Sequence, residues 1–457
     1  MKNFRIFLVL LWAMGLAACE NNDPSSESST PSNPSLKVSD NHRYLTFADG
    51  KPFYYLGDTA WELFHRLNRE EADLYLEDRA AKGFTVIQAV VLAELEGLTV
   101  PNAYGHFPLT DNDPTQPVED YFAHVDYIVN KAESLGMFIG MLPTWGDKFN
   151  IRWGKGPEVF TTENARTYGE FLGNRYKDKP IIWILGGDRN PENDTQLAIV
   201  RSMAQGLEAG DNGNHLMTYH PMGGSNSAQF FHNDSWLDFN MFQSGHGRVN
   251  EPNYEVNLAN YALIPIKPTL DGEPRYEDHP INWKPANGWF DAADVRQAAW
   301  WGGLSGSCGH TYGDHNIWQM WQEGREPISA ARTPWQQAIH HPGSSQVGFM
   351  KQLLEEISWY KLVPAPELIA ADTTNGGRKV IAAWATDKSL AMAYTPYGSD
   401  VQFDKSLLVT SSFKGYWFDP RTADRLEING ELMETGRFDP PGEPGRGNDW
   451  VLVLQKE

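Results

Sequence analysis

Cysteine and positive charge are both scarce in this sequence. Its 457 residues include two cysteines, Cys19 and Cys308, too few for a disulfide framework. Lys and Arg number 38 against 59 Asp and Glu, which gives a net charge of −21. Nucleic acids and anionic membranes carry negative charge that a binding protein has to neutralise, so neither is expected to be the main partner of this acidic chain.

Motifs typical of two other enzyme classes are also missing. The sequence has no G-x-G-x-x-G turn, the mark of a dinucleotide-binding doubly wound sheet, and neither H-x-H nor H-E-x-x-H, which often mark a catalytic metal. A metal-dependent hydrolase would have to use dispersed histidines such as His220, His246, His310 and His315. We expect these side chains to bond hydroxyl groups of a ligand or neighbouring polar groups, and we expect no metal and no other cofactor.

Aromatic residues, by contrast, are plentiful, with 17 Trp, 18 Tyr and 22 Phe. The face of an aromatic ring matches the apolar C–H face of a pyranose, so such rings can hold a sugar, although any single Trp is first expected in the hydrophobic core. With 41% apolar and 21% charged residues, the composition is otherwise that of an ordinary soluble protein.

The N-terminus predicts an exported, lipid-anchored protein. Residues 1–18 have a basic start (Lys2 and Arg5) and an apolar stretch too short to span a membrane. Residues 16–19 read Leu-Ala-Ala-Cys, which resembles a bacterial lipoprotein signal with Cys19 as the lipidated residue; an ordinary signal peptide with a chance cysteine is the alternative. Residues 19–36 are rich in Ser, Asn and Pro and predict a flexible tether. We expect a lipoprotein of the bacterial cell envelope, on the periplasmic face or the cell surface of the outer membrane, that contacts the membrane only through its lipid.

The rest of the chain divides into two regions with different patterns of predicted secondary structure. Between residues 37 and 362, eight short apolar strands alternate mostly with helices, which predicts a closed (β/α)8 TIM barrel, with a doubly wound sheet as the alternative. From 363 to 457, short strands separated by Asp, Gly, Asn and Pro predict a small antiparallel β-sandwich domain. The barrel strands are expected near residues 53–56, 85–90, 137–142, 181–185, 216–219, 237–242, 268–270 and 307–312.

Two carboxylates follow strands that lie nearly opposite each other in such a barrel. Asp188 comes after the fourth strand and two glycines, and Glu273 comes after the seventh. Catalytic groups of TIM barrels lie at the carboxyl ends of strands, and a facing pair of carboxylates is what glycoside hydrolysis requires. Either acid could instead cap a helix or pair with the neighbouring Arg189 or Arg275.

Four longer motifs carry a family resemblance. Residues 55–61 (YLGDTAW), 183–188 (WILGGD), 270–277 (LDGEPRYE) and 300–306 (WWGGLSG) resemble the apiosidase-like catalytic domain, glycoside hydrolase family 140, over residues 36–362. The tail resembles a domain named for collagen binding in a collagenase.

This resemblance implies a (β/α)8 barrel that cleaves apiose-containing pectic side chains with retention, with Asp188 as acid/base and Glu273 as nucleophile. Gly187 departs from the Asn that precedes the acid in related barrels, so the contact to the sugar 2-hydroxyl would have to come from elsewhere, such as Asn190 or Asn240.

Further polar and aromatic residues near the strand ends are candidates for binding a plant polysaccharide or oligosaccharide. They are Asp58, Trp61, Gln88, Trp145, His220, Asn240, Gln243 and Tyr312. If Asp188 and Glu273 face each other across a narrow mouth, their carboxyl groups are expected about 5–5.5 Å apart, the spacing of a retaining enzyme. A non-catalytic, lipid-anchored glycan-binding protein and a metal-dependent barrel hydrolase remain the alternatives.

Overall fold

The computed structural model describes residues 35–370, 374–407, 413–428 and 435–456. The predicted export signal, the lipidation site Cys19 and residues 19–34 of the tether lie outside the described residues. Within the described ranges, no helix is both long enough and apolar enough to span a bilayer.

Residues 36–312 form a small antiparallel sheet followed by a ring of strands. In chain order the strands are β1 (Leu36–Val38), β2 (Leu45–Phe47), β3 (Pro52–Phe53), β4 (Tyr55–Thr59), β5 (Val86–Leu92), β6 (Phe138–Thr144), β7 (Ile181–Gly186), β8 (Met217–His220), β9 (Ser225–Asn226), β10 (Asn240–Gln243), β11 (Thr269–Asp271) and β12 (Gly309–Tyr312). The barrel consists of β4 to β8 and β10 to β12, while β9 is a short antiparallel addition to β10.

The eight barrel strands close into a ring. Six of them form one parallel sheet in the order β12-β4-β5-β6-β7-β8, and β10 pairs in parallel with β11. Backbone hydrogen bonds join the two sheets at both seams, from Asp238 N–H to Met217 O (2.9 Å) and from Cys308 N–H to Thr269 O (2.9 Å). The predicted (β/α)8 barrel is thus confirmed, and the doubly wound alternative is wrong.

Helices surround this ring. They are α1 (Leu63–Arg66), α2 (Arg69–Ala81), α3 (Glu119–Ser134), α4 (Thr162–Tyr176), α5 (Asp194–Asp211), α6 (Ala228–Phe231), α7 (Asn253–Tyr261), α8 (Ala292–Leu304), α9 (His315–Trp318), α10 (Trp335–Ala338) and α11 (Pro342–Glu356). The local signals work as expected in α2, where Asn68 and Glu71 form a capping box that satisfies two free backbone N–H groups at the helix start.

Side chains alternate between the barrel interior and the helical layer. In β5, Val86 and Val90 pack inside the barrel with Leu142 and Ile184, whereas Ile87 and its alternate neighbours pack against the helices. This alternation follows from the two-residue period of a strand. A polar residue at a strand end therefore faces the barrel mouth only if its position in the strand points inward; the residues before and after it point toward the helices.

The antiparallel sheet β1–β2–β3 covers the amino-terminal end of the barrel. The ring centroids of Phe47 and Phe53 lie 6.4 and 5.3 Å from that of Phe138, which begins β6. This end is therefore sealed by apolar side chains, and the opposite, carboxyl-terminal end is left to form a site.

The C-terminal domain is antiparallel, as predicted. Its strands are β13 (Leu362–Pro364), β14 (Ile381–Ala385), β15 (Leu390–Thr395), β16 (Val401–Gln402), β17 (Phe413–Phe418), β18 (Arg425–Glu427), β19 (Arg437–Phe438) and β20 (Trp450–Lys456). Six form one sheet in the order β13-β14-β15-β20-β17-β18, and β16 pairs with β19. Among the described residues, the second layer of the sandwich is this two-stranded ribbon. Residues 408 and 409, the end of a strand that the sequence predicts over 402–409, lie outside the described residues.

Helix α8 connects this domain to the barrel. The buried guanidinium of Arg296 binds both carboxylate oxygens of Asp449, at 2.9 and 2.6 Å, and Tyr394 donates its hydroxyl to the same carboxylate at 3.1 Å. The rings of Trp300 and Tyr394 stack with centroids 6.0 Å apart. Because charged groups are buried only where they are paired, this contact is a built interface and not a loose tether.

Candidate active site

A cavity of about 750 Å³ opens at the carboxyl-terminal end of the barrel strands. Its walls combine aromatic rings with four carboxyl side chains and one lysine. They are Trp61, Trp145, Trp153, Tyr276, Trp283 and Trp318 on the aromatic side, and Glu94, Asp188, Glu251, Glu273 and Lys155 among the charged residues. Such a mixture of ring faces and a few convergent polar groups is typical of a ligand site.

Asp188 reaches this cavity through an unusual turn after β7. Gly186 and Gly187 have φ angles of 93° and 96°, and Asp188 itself has a φ of 52°. A Cβ atom at position 187 would lie 2.9 Å from Cε3 of Trp145. An Asn at this position would clash, which gives a physical reason for the departure from the related-barrel pattern: the backbone and Trp145 approach too closely for any side chain.

One oxygen of the Asp188 carboxyl group, Oδ2, has polar partners in the protein. Trp153 donates its indole N–H to Oδ2 at 3.0 Å, and Arg189 Nη1 lies 3.3 Å from the same oxygen. Burial and the negative charge of Glu273 together raise the pKa of Asp188 to about 6, although Arg189, His220 and Trp153 oppose the shift. Near pH 5 most molecules therefore carry a proton on Asp188.

Glu273, two residues after the end of β11, has the opposite electrostatic surroundings. His246 Nε2 lies 2.9 Å from Oε1, and His220 Nε2 lies 3.1 Å from Oε2. Burial alone would raise the pKa of Glu273, but the contacts with these two imidazoles outweigh it and lower the pKa to about 2. Glu273 is therefore ionised under the conditions in which Asp188 is protonated.

His220 links the two acids. Its Nδ1 lies 3.2 Å from the backbone nitrogen of Asp188. A backbone N–H can only donate, so Nδ1 accepts, and the proton of the neutral ring is then on Nε2, which faces Glu273. One side chain thus orients both the turn that carries the acid and the carboxylate across from it.

Residues beneath the cavity form hydrogen bonds with the neighbours of Glu273 in the chain. Gln88, buried inside the barrel, donates from Nε2 to the carbonyl of Gly272 at 3.2 Å and to Thr311 Oγ1 at 3.3 Å. Trp61 donates its indole N–H to the hydroxyl of Tyr276 at 3.1 Å. These bonds fix the backbone before Glu273 and the ring after it.

The structure separates the predicted binding residues into three groups. Trp61, Trp145 and Gln243 line the cavity together with Asp188 and Glu273. His220 and Gln88 lie just below it and act on the acids through the contacts described above. The remaining three, at positions 58, 240 and 312, do not line the cavity.

The prediction that Asp58 contacts substrate is corrected by its partners. Its fully buried carboxylate accepts hydrogen bonds from Arg79 Nε at 2.5 Å and from the Tyr75 hydroxyl at 2.6 Å, both on α2. Asp58 therefore ties β4 to the helical layer, because it occupies the outward register of the strand.

Asn240 and Tyr312 are also turned outward. Tyr312 donates its hydroxyl to Glu277 at 2.7 Å, and Asn240 Oδ1 lies 3.3 Å from His232 Nδ1. Asn190, the other candidate for the sugar 2-hydroxyl, uses its amide on Ser225 and on the backbone N–H of Met222. Neither asparagine lines the cavity, so the structure assigns that contact to neither.

Trp153 is the site residue that sequence reasoning missed. It stands in a loop with no strand or helix signal, and the loop is held by Asp147, whose Oδ2 accepts the backbone N–H groups of Lys155 (3.0 Å) and Gly156 (2.8 Å). Arg189 lies 3.8 Å from the Trp153 ring centroid. Only the folded loop brings an indole donor from 35 residues away to the acid.

Three of the histidines considered for a metal, His220, His246 and His315, have other partners. Among residues 35–370 and the described parts of the tail, no three His, Cys, Asp or Glu side chains are grouped as metal ligands would be. His315, for example, lies 3.1 Å from the carbonyl of Ile328 and accepts the indole N–H of Trp318.

Fold and site together define a (β/α)8 glycoside hydrolase with a carbohydrate substrate. The family model "Apiosidase-like, catalytic domain" matches residues 39–361, and the model "Putative collagen-binding domain of a collagenase" matches residues 363–455. The chain belongs to the apiosidase-like family.

Two solved structures are similar over nearly their whole length. A protein titled "Glycoside hydrolase" is 34% identical with a TM-score of 0.84, covering 93% of this chain and 98% of its own. A glycoside hydrolase family 5 protein from Bacteroides vulgatus is 31% identical with a TM-score of 0.85, covering 93% of both chains. A search of curated proteins finds no match.

Proposed function

We propose that this protein is a retaining glycoside hydrolase that removes sugars from apiose-containing pectic side chains of plant cell walls. The observation that carries the proposal is a pair of carboxyl groups in one cavity, with Asp188 bonded by the Trp153 indole and Glu273 held between His246 and His220; this setting raises the pKa of Asp188 and lowers that of Glu273. Two carboxyl groups with separated pKa values are suited to act as acid and nucleophile.

The proposed steps follow from these protonation states. Glu273 attacks the anomeric carbon while Asp188 gives its proton to the departing glycosidic oxygen, which yields a covalent glycosyl-enzyme. Asp188, now ionised, takes a proton from the incoming water, and the water releases the sugar with its original configuration. The His246 and His220 contacts keep Glu273 ionised and oriented before it attacks and again after the sugar has left.

The walls of the cavity support an uncharged sugar at the reacting position. Glu273 stays ionised in this cavity, so a uronic acid beside it would meet repulsion, whereas the ring faces of Trp61 and Trp145 suit the C–H face of a sugar. Apiose is uncharged, and the family to which the chain belongs is named for its removal. These points favour apiose over the acidic sugars of pectin.

Export as a lipoprotein is part of the same proposal. The signal-like residues 1–18 and the Leu-Ala-Ala-Cys sequence that ends at Cys19 support attachment to the cell envelope, where polysaccharide fragments are met. Labelling with a radioactive or clickable fatty acid tests the anchor, since Cys19→Ser should abolish incorporation while the protein is still made.

The decisive experiment for the reaction is NMR of the first product. Purified enzyme is mixed with an apiose-containing pectic oligosaccharide, and the anomeric signals are followed before mutarotation. Retention supports the proposed nucleophile, whereas initial release of the inverted anomer means that Glu273 activates a water instead.

A Glu273→Ala variant tests the same assignment. We expect a loss of kcat of about 10⁴-fold or more, partly rescued by azide, which fits the vacated space and gives a glycosyl azide of inverted configuration. Glu251→Ala is the matched control, because Glu251 lines the same cavity but is paired with Arg248. It should keep activity within about tenfold of the wild type.

A further inference from the structure

The cavity contains one carboxyl side chain for which the described protein supplies no hydrogen-bond donor. Asp188 accepts from Trp153, Glu273 contacts His246 and Glu251 is paired with Arg248. Glu94 lines the cavity beside them, and no described side chain or backbone group bonds its carboxyl. Partly buried carboxyl groups without partners are uncommon, since removing them from water is costly unless something else bonds them.

The backbone on both sides of Glu94 is fixed. Lys148, fully buried, donates from Nζ to the carbonyl of Ala93 at 3.0 Å. Glu62, also fully buried, accepts the backbone N–H of Leu95 at 2.9 Å. A residue whose backbone is fixed while its side chain has no hydrogen-bond partner in the described protein resembles a preorganised binding group more than a surface acid.

The charges around Glu94 are mainly negative. Burial, followed by the charges of Asp188 and Asp147, raises the pKa of Glu94 to about 8. At pH 5 to 7 its carboxyl is therefore protonated and can both donate and accept a hydrogen bond, as a sugar hydroxyl also can. The charged groups that face Glu94 or line the same wall are Asp188, Asp147, Glu62 and Arg189, with Lys148 paired to Asp147 and Lys155 on the rim.

Further polar groups of the cavity also lack protein hydrogen bonds. The Trp145 indole N–H is a buried donor and the Gln243 Oε1 atom is a buried acceptor, and neither is bonded. Glu94 and Trp145 follow the neighbouring strands β5 and β6, so they face the cavity from the same side. Unsatisfied groups of complementary type around one cavity indicate hydroxyl groups as their missing partners.

We propose that Glu94 is a substrate-binding residue that hydrogen-bonds a hydroxyl group of an uncharged sugar beside Asp188. The proposal rests on the proposed glycosidase function and adds a specificity residue to its site. An ionised acid here would lose its donor and place a second negative charge next to the general acid, so the protonated form is the one that binds.

The test is titration calorimetry in the Glu273→Gln background, in which substrate binds without turnover. The probe is the best-cleaved oligosaccharide from a plant cell-wall panel that includes the apiose-containing pectic fragment. We expect Glu94→Ala to weaken binding about fivefold to tenfold at pH 6, whereas Glu94→Gln, which keeps a donor and an acceptor, stays within about twofold.

The pH dependence separates binding from a structural contribution. The dissociation constant of the parent should rise about fivefold or more between pH 7 and pH 9 as Glu94 ionises, and Glu94→Gln should remove this rise. Glu96→Gln is the matched control, since Glu96 lies two residues away in the same loop but does not line the cavity. It should keep the parental pH dependence, and melting temperatures should show that all variants are folded.

Unchanged affinity in Glu94→Ala, or a parental rise above pH 7 that persists in Glu94→Gln, would overturn the assignment of Glu94. If another oligosaccharide of the panel is cleaved and the apiose-containing one is not, the proposed pectic substrate fails while the measurement on Glu94 still stands.

Discussion

Asp58 and Glu273 both lie near the ends of barrel strands and both are nearly inaccessible, with 0% and 6% of their surface exposed. They differ in what faces them. Asp58 meets the guanidinium of Arg79, which is always charged and holds the carboxylate permanently. Glu273 meets two imidazoles and an open cavity.

This difference shows which acids are available for chemistry. A carboxylate paired with a buried guanidinium is fully used by the fold, and removing it leaves an uncompensated charge. A carboxylate that is held by imidazoles stays ionised but keeps a side open to a ligand. Mutations in the helical layer around Asp58 should therefore lower stability, whereas mutations in the barrel mouth around Glu273 should lower activity.

The largest of the further effects is expected in the mouth, at Asp188. Asp188→Asn removes the proposed proton donor, so kcat on an oligosaccharide with a poor leaving group should fall about 10³-fold. Glycosylation from an activated aryl glycoside should be largely spared, because its leaving group needs little help. Stopped-flow release of the aryl group measures this step, and equal losses on both substrates would contradict the acid assignment.

In the helical layer the expected loss is stability. Asp58→Asn leaves Arg79 buried without its counter-charge, and we expect the free energy of unfolding to fall by about 3–5 kcal/mol, measured by denaturant titration. Activity per folded molecule should be unchanged. The double variant with Arg79→Met should recover part of this loss in stability. A fall in kcat/KM without a fall in stability would instead indicate that Asp58 contacts substrate.

A smaller effect is expected within the mouth, where Trp153 donates to Asp188. Trp153→Phe removes a donor that favours the ionised acid, so the pKa of Asp188, already raised to about 6, should move further up. The alkaline limb of kcat/KM against pH should then shift to higher pH, with a loss of less than about tenfold at the optimum. An unmoved limb would mean that this bond does not set the protonation of Asp188.

Several features of this molecule were predictable from short segments. The capping box of Asn68 and Glu71 and the apolar period of the strands gave the order of helices and strands, because these signals act within one turn or one strand. Asp188 and Glu273 could be chosen as a pair since parallel strands end on the same side of a barrel.

The inward or outward register of a strand end was harder to predict. The reasoning that places Gln243 at the barrel mouth also places Asp58, Asn240 and Tyr312 there, yet their strands turn these three side chains toward the helices. Short strands of three to five residues, buried on both faces, carry little alternation of apolar and polar residues from which the register could be inferred.

By itself the sequence determined the barrel, the antiparallel tail and the two acids, because burial patterns, caps and turn residues are local physical preferences. Only the tertiary structure decided which partners surround each acid: Arg79 from α2 for Asp58, Trp153 from a distant loop for Asp188, and two imidazoles for Glu273. These partners set the protonation state of each carboxyl, and they come from segments tens of residues away whose approach depends on how the whole barrel packs.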